Sequence, residues 1–209
     1  MKLALVVVAL LSAVAASGVD LEGRALEKRS GHVFTFTNNC GYSVKPTVSN
    51  TRCGYSPRCG DATDFTGSQP GTLAAQSSKK VTIPSRVRRS FSTIDIERRG
   101  LLTSCQWVGR IFNQNGNCGA KGESCTLTEY NLDTGDFYTP QAYDISNIQG
   151  FTQSIQIKSA GCDTVTCKVK SCPCSQAYPV GDTSGCGNDS PVRGCGAGDK
   201  TFTVTFCPA

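Results

Sequence analysis

The sequence predicts an all-β fold, and three features carry that prediction. Apolar and polar residues alternate with period two at both ends of the mature chain, Gly and Asn turns separate such runs, and no segment shows an amphipathic helical stripe. In HVFTFTNNC, Phe34 and Phe36 fall on one face and Thr35 and Thr37 on the other. In KTFTVTFCPA, Phe202, Val204 and Phe206 oppose Thr203 and Thr205, and KKVTIPS and FTQSIQIKS add two further strands. Strands with one apolar face bury it by stacking sheet on sheet, so a sandwich is the expected architecture.

The N-terminus sets the expected compartment. Met1 and Lys2 precede an apolar run from Leu3 to Val14, and the small residues Ala13, Ala15 and Ala16 close it. A charged start, a short apolar core and an A-x-A-like exit describe a secretory signal peptide over residues 1–16, too short for a stable membrane span. Residues 17–29 read as a pro-segment, because they end in Leu26-Glu27-Lys28-Arg29 just before a strand-like run. Cleavage after Arg29 by a Lys-Arg protease of the secretory route frees a mature chain starting near Ser30, and that style of processing points to a fungal source. No other stretch is long enough to cross a membrane. Residues 30–209 suffice for one domain with its own core. The expected product is monomeric and secreted, either extracellular or in the cell wall.

The formal charge of +5 suggests a polyanionic partner until it is divided along the chain. Residues 1–29 carry four basic and three acidic side chains, residues 87–106 carry four and two, and the remainder holds 13 and 11. That balance excludes a nucleic-acid-binding surface. Thirteen cysteines in an exported chain imply disulfides with one thiol left over. A zinc site at Cys172-Pro173-Cys174 is disfavoured by the single histidine and the oxidising route, so no metal and no cofactor is expected. His32, beside the new N-terminus, reads as a solvated residue.

Four segments in order, FTFTNNCGYSV, LTEYNL with YDISNIQGF, GCDTVTC, and TVTFCP, together resemble the thaumatin-like family over nearly all of the mature chain. The resemblance implies a flattened β-sandwich of about ten or eleven strands with a disulfide-rich loop region beside it. The stretch after Cys167 is short for the family, so the chain resembles its small type. The family pattern implies the bridges Cys40–Cys207, Cys118–Cys125, Cys162–Cys195 and Cys167–Cys174. Cys53–Cys59 and Cys172–Cys186 are then the simplest closures, resting on proximity alone because spacing does not fix connectivity. Cys105 is left over.

Cys105 lies in VRRSFSTIDIERRGLLTSCQ, residues 87–106, whose composition differs from its surroundings. Deleting this block joins VTIPSR to WVGRIFNQNGNC, which restores the Trp-x-Gly-Arg-aromatic run expected by resemblance. Valine codons begin GT, glutamine can be encoded by CAG, and Leu102-Thr103 can encode a branch-like sequence. We read the block as a translated, unspliced intron, with a basic surface loop or a regulated splice form as the alternatives, since long loop insertions add little closure entropy. A free exported thiol beside twelve paired ones invites scrambling, which weighs against the loop. Amplification of the transcript across codons 80–115 is expected to give a product without these twenty codons; a sole product retaining them removes the intron reading.

For the site, the resemblance implies an acidic cleft between sandwich and loop region. Glu129 in TLTEY and Asp144 in YDIS match its acids, Asp182 in AYPVGD matches a third, and Asp136 in LDTGDFY is preferred to Asp133 for a fourth. The family's cleft Arg, expected after Cys125, is absent because Thr126 follows directly. Grouped carboxylates accept hydrogen bonds from sugar hydroxyls, and two of them can run glycoside chemistry, with Glu129 expected as acid and Asp144 as its partner. Asn188 in N-D-S is a candidate glycan acceptor. The expected function is binding of β-1,3-glucan in fungal cell wall, with weak endo-glucanase activity open, in wall remodelling or antifungal defence. An inhibitor of a foreign hydrolase is one alternative. A membrane-active antifungal protein is another, which the low net charge supports poorly.

Overall fold

The structure is a computed structural model that describes residues 31–50, 63–84, 86–88, 104–133 and 140–209. The expected leader and pro-segment, Asp136, Cys53 and Cys59 lie outside the described residues. The strands are β1 (Gly31–Asn38), β2 (Pro46–Asn50), β3 (Thr63–Asp64), β4 (Ser77–Pro84), β5 (Arg86–Arg88), β6 (Ser104–Gln106) and β7 (Val108–Asn113). They continue as β8 (Leu127–Leu132), β9 (Gln141–Ser146), β10 (Ile155–Ser159), β11 (Val165–Cys167), β12 (Arg193–Cys195) and β13 (Thr201–Phe206). A five-stranded sheet, ordered β11-β10-β13-β1-β4, stacks on a six-stranded sheet, ordered β12-β9-β8-β7-β2-β3. The all-β expectation holds, and the two sheets supply the eleven strands of a sandwich.

Period two decides what each strand buries. Phe34 and Phe36 of β1, with Phe202, Val204 and Phe206 of β13, are sealed from solvent, while Thr35 and Thr37 are only half-buried. The two strands run parallel and in register, Phe34 beside Phe202 and Phe36 beside Val204. β4 closes the outer edge of this sheet and carries exposed Lys79 and Lys80, charges that discourage pairing with another chain. Across the core, Phe34 meets Tyr130 edge-on with ring centroids 5.0 Å apart and Trp107 at 5.8 Å, so aromatic contacts join the sheets. The Trp107 ring lies over Gly109, where a Cβ would come within 2.2 Å of it. The Trp-x-Gly spacing is therefore a packing requirement.

His32 is a correction to the sequence reading. It is fully buried, accepts the Lys200 backbone N–H at Nδ1 (3.1 Å) and contacts Asp133 through Nε2 at 2.9 Å. Asp133 also accepts from Gln141 Nε2 (2.7 Å), so it knits β8 and β9 to β1. Period two explains this: His32 shares the inward face with Phe34 and Phe36.

The bridges Cys40–Cys207, Cys118–Cys125 and Cys162–Cys195 are present. The expected Cys167–Cys174 and Cys172–Cys186 are not: Cys167 joins Cys172, and Cys174 joins Cys186. The local backbone gives the reason. After β11 the chain turns at once, with the Cys172 N–H donating to the Val169 carbonyl, and brings Cys172 back to a Cα distance of 5.6 Å from Cys167. The Gln176 and Ala177 amides then close a turn on the Pro173 carbonyl, and Cys174 lies 5.7 Å from Cys186 between Cα atoms.

The backbone of the 87–106 block is described only at its ends. There β5 and β6 pair antiparallel as a separate ribbon, with Arg86 opposite Gln106 and Val87 opposite Cys105. The chain therefore leaves and returns at one place, between β4 and β7. Replacing Cys40 and Cys207 together by Ala is expected to cost about 2–5 kcal/mol in denaturant unfolding, because that bridge closes a loop spanning 167 positions. Peptide mapping under non-reducing conditions is expected to find Cys167–Cys172 and Cys174–Cys186; recovery of Cys167–Cys174 contradicts the turn geometry.

Candidate functional site

The side of the six-stranded sheet that faces away from the aromatic core carries a polar row. Tyr130, Tyr143, Ile111 and Val48 point into the core. Their chain neighbours Glu129, Asp144, Arg110 and Ser49 therefore lie on the other face. The register lines them up: Ser49 of β2 is opposite Arg110 of β7, Arg110 opposite Glu129 of β8, and Glu129 opposite Asp144 of β9. At one side Phe112, Leu127 and Cys125 form a small apolar cluster beside the Cys118–Cys125 bridge, which fixes the adjoining loop.

The row is buried. Arg110 is 0% exposed, Glu129 7% and Asp144 5%. Arg110 Nε donates to Glu129 Oε1 at 2.9 Å. Asp144 Oδ1 has no hydrogen-bond partner among the described residues. Carboxylates directly opposite one another on adjacent strands repel when both are ionised, and one guanidinium offsets only one of them. Burial pushes the Glu129 carboxyl up against the downward pull of Arg110. Burial and then the neighbouring Glu129 charge push Asp144 well above the usual carboxylate range, with Arg110 opposing. Burial thus raises both carboxyls, and Asp144 takes the additional push of the Glu129 charge.

Tyr178 brings the loop region to this pair. Its N–H donates to the Ile145 carbonyl (2.9 Å), its carbonyl accepts from Asn147 (2.9 Å), and its hydroxyl bonds Ser190 Oγ at 3.2 Å. Burial raises the phenol's pKa, and the charges of Asp144, Glu129 and Asp182 add to the rise. Tyr178 therefore stands within the field of three of the sequence-expected acids. Asp182 is held below the usual range by the Ser184 hydroxyl and backbone, with the Cys186 amide adding a bond at 3.2 Å. Cys174, Asp182 and Cys186 lie close together, but both sulfurs are in a disulfide and offer no thiolate to a metal. Asn188 is exposed on the loop that follows.

Arg110 was missed as a site residue. The absent Arg after Cys125 is not replaced there, but a guanidinium reaches Glu129 from the neighbouring strand. The signal was present in Trp107-Val108-Gly109-Arg110: with Trp107 and Gly109 facing the core, period two sends Arg110 to the other face.

An all-β, disulfide-stapled sandwich with a buried Arg-Glu-Asp row is the class of protein that the fold and site define. No family model matches the chain. It is 29% identical over 191 residues to the wheat (Triticum aestivum) thaumatin-like protein PWIR2, covering 86% of this chain and 90% of that one. It is 28% identical over 183 residues to the barley (Hordeum vulgare) pathogenesis-related protein 1A/1B, with the same coverage. A rice (Oryza sativa subsp. japonica) thaumatin-like protein is 26% identical over 98% of this chain and 96% of its own. Among solved structures, the thaumatin-like xylanase inhibitor TLXI aligns with a TM-score of 0.47 at 18% identity, over 84% of this chain and 99% of its own. The curated relatives named here are cereal proteins described as thaumatin-like or pathogenesis-related.

The buried charges make two stability predictions. A carboxyl whose folded pKa is raised favours the folded state below its unfolded value of about 3.9, and that advantage is lost as pH rises through the folded value. Asp144→Asn stands for the protonated form. Its thermal midpoint is expected to exceed that of the parent increasingly as pH rises above about 4, and parallel pH profiles contradict the assignment. Glu129→Gln removes a charge bonded to buried Arg110 and is expected to destabilise by about 3–5 kcal/mol.

Proposed function

We propose that this protein is secreted and binds β-1,3-glucan of fungal cell wall through the Arg110–Glu129–Asp144 row, in antifungal defence or wall remodelling. The observation that carries this reading is the unpartnered Asp144 Oδ1 beside Glu129, which Arg110 holds at 2.9 Å. Carboxylate oxygens accept from sugar hydroxyls, and the row repeats at the sheet spacing of about 4.8 Å, a scale suited to successive sugar rings. The same pair holds the groups that glycoside hydrolysis requires: Asp144 to protonate the leaving oxygen, and Glu129 to act as nucleophile or to activate water. The pathogenesis-related name of the barley relative supports the defence role.

A protein partner is the second reading, and the near-complete burial of the carboxylates favours it. Such a partner would meet the exposed apolar side chains of the disulfide-rich loops, Val169, Val180 and Val192, instead of the row.

Pull-down on insoluble β-1,3-glucan, followed by an assay for released reducing ends, separates these readings. Asp144→Asn is expected to retain binding, because an amide still bonds hydroxyls, and to lower any release by about 10²–10⁴-fold. Asp144→Ala with Asp182→Ala is expected to weaken binding. Binding without release defines a pure binder. Pull-down unchanged by the double substitution places the ligand elsewhere and favours the protein partner.

A further inference from the structure

We propose that Asn188 carries an N-linked oligosaccharide that stands at the mouth of the acidic site. The inference rests on the secretory and glucan-binding reading above. Asn188-Asp189-Ser190 is an N-x-S acceptor sequence, which becomes meaningful only on an accessible turn of an exported chain. The structure supplies such a turn. The Asp189 N–H donates to the Cys186 carbonyl at 3.1 Å, Cys186 and Gly187 have φ of 60° and 55°, and Asn188 projects exposed from the corner. The Cys174–Cys186 bridge holds the start of this turn and the Cys162–Cys195 bridge its far side, so the position of Asn188 is fixed.

Ser190 ties this turn to Tyr178. Its hydroxyl bonds the Tyr178 hydroxyl at 3.2 Å and accepts the Val192 N–H at 3.3 Å. Tyr178 in turn is bonded through its backbone to β9 immediately beyond Asp144, its N–H donating to the Ile145 carbonyl and its carbonyl accepting from Asn147, both at 2.9 Å. A sugar chain on Asn188 therefore begins two residues from the wall of the site, where it limits the approach of a polymer more than that of a short oligosaccharide. In the transfer step the Asn188 amide nitrogen bonds to the anomeric carbon of a lipid-diphosphate-linked oligosaccharide. The bond from that carbon to the diphosphate oxygen breaks, the amide proton goes to the transferase, and the lipid diphosphate leaves; nothing is oxidised or reduced.

The full chain is translated in the presence of microsomes and treated with external protease. The protected chain is expected to lose mass on peptide-N-glycosidase treatment, leaving aspartate at 188. Asn188→Gln and Ser190→Ala are expected to abolish the mass loss, while Ser190→Thr, which keeps a hydroxyl, retains it. A protected but unmodified chain overturns the proposal alone. A chain left outside the vesicles and digested overturns the secretory reading and the proposal with it. Enzymatic removal of the oligosaccharide is expected to raise retention on insoluble β-1,3-glucan several-fold while leaving the affinity for a short soluble β-1,3-glucan oligosaccharide unchanged. Equal retention before and after removal sinks the placement at the mouth. Absence of glucan binding in both forms overturns the ligand reading, and the placement at its mouth, while leaving the modification itself intact.

Discussion

The parallel pairing of β1 with β13 is the constraint on which the rest of the molecule depends. Parallel neighbours need a crossover connection, and here nearly the entire domain is that connection. Six consecutive residue pairs, Val33 with Thr201 through Asn38 with Phe206, form only when the chain between them is compact enough to return. Their side chains are the floor on which Trp107 and Tyr130 of the opposite sheet rest. The Cys40–Cys207 bridge stands just past the C-terminal ends of these strands and reduces the freedom of the unfolded chain where the contact order is greatest.

The acidic row and the aromatic core are two sides of one strand pattern. LTEYNL sends Tyr130 inward and Glu129 to the opposite face, and β9 does the same with Tyr143 and Asp144. A one-residue slip of β8 would put a carboxylate against Phe34 and Phe202 and take Tyr130 out of the core. The fold's register and the site's geometry are thus a single requirement. Arg110 makes the burial of two acids tolerable by supplying one opposite charge at hydrogen-bond distance.

Much of this was legible from residues alone, because it depends on period two. The inward faces of β1 and β13 and the meeting of Glu129 with Asp144 follow from alternation and from the family resemblance. What escaped the sequence depends on three-dimensional neighbours. Arg110 meets Glu129 only through the β7–β8 register, and His32 is buried only because Asp133 and Lys200 arrive from distant segments. The pairing among Cys167, Cys172, Cys174 and Cys186 was misjudged because spacing does not report where a turn reverses the chain. The direction of the Glu129 and Asp144 shifts likewise needs the burial and the single guanidinium, neither of which a lone strand pattern contains.

The opposed ends of the 87–106 excursion have a consequence for how such a domain can change over time. Because Arg86 and Gln106 are ladder partners, their Cα atoms lie about 4.5–5.5 Å apart. A segment that starts and finishes so close together is topologically neutral: its length and composition can be exchanged without asking β4 or β7 to move. This point of the sandwich is a natural graft site, where a peptide tag, a reporter domain or a foreign recognition loop with adjacent termini can be installed while the two sheets keep their order.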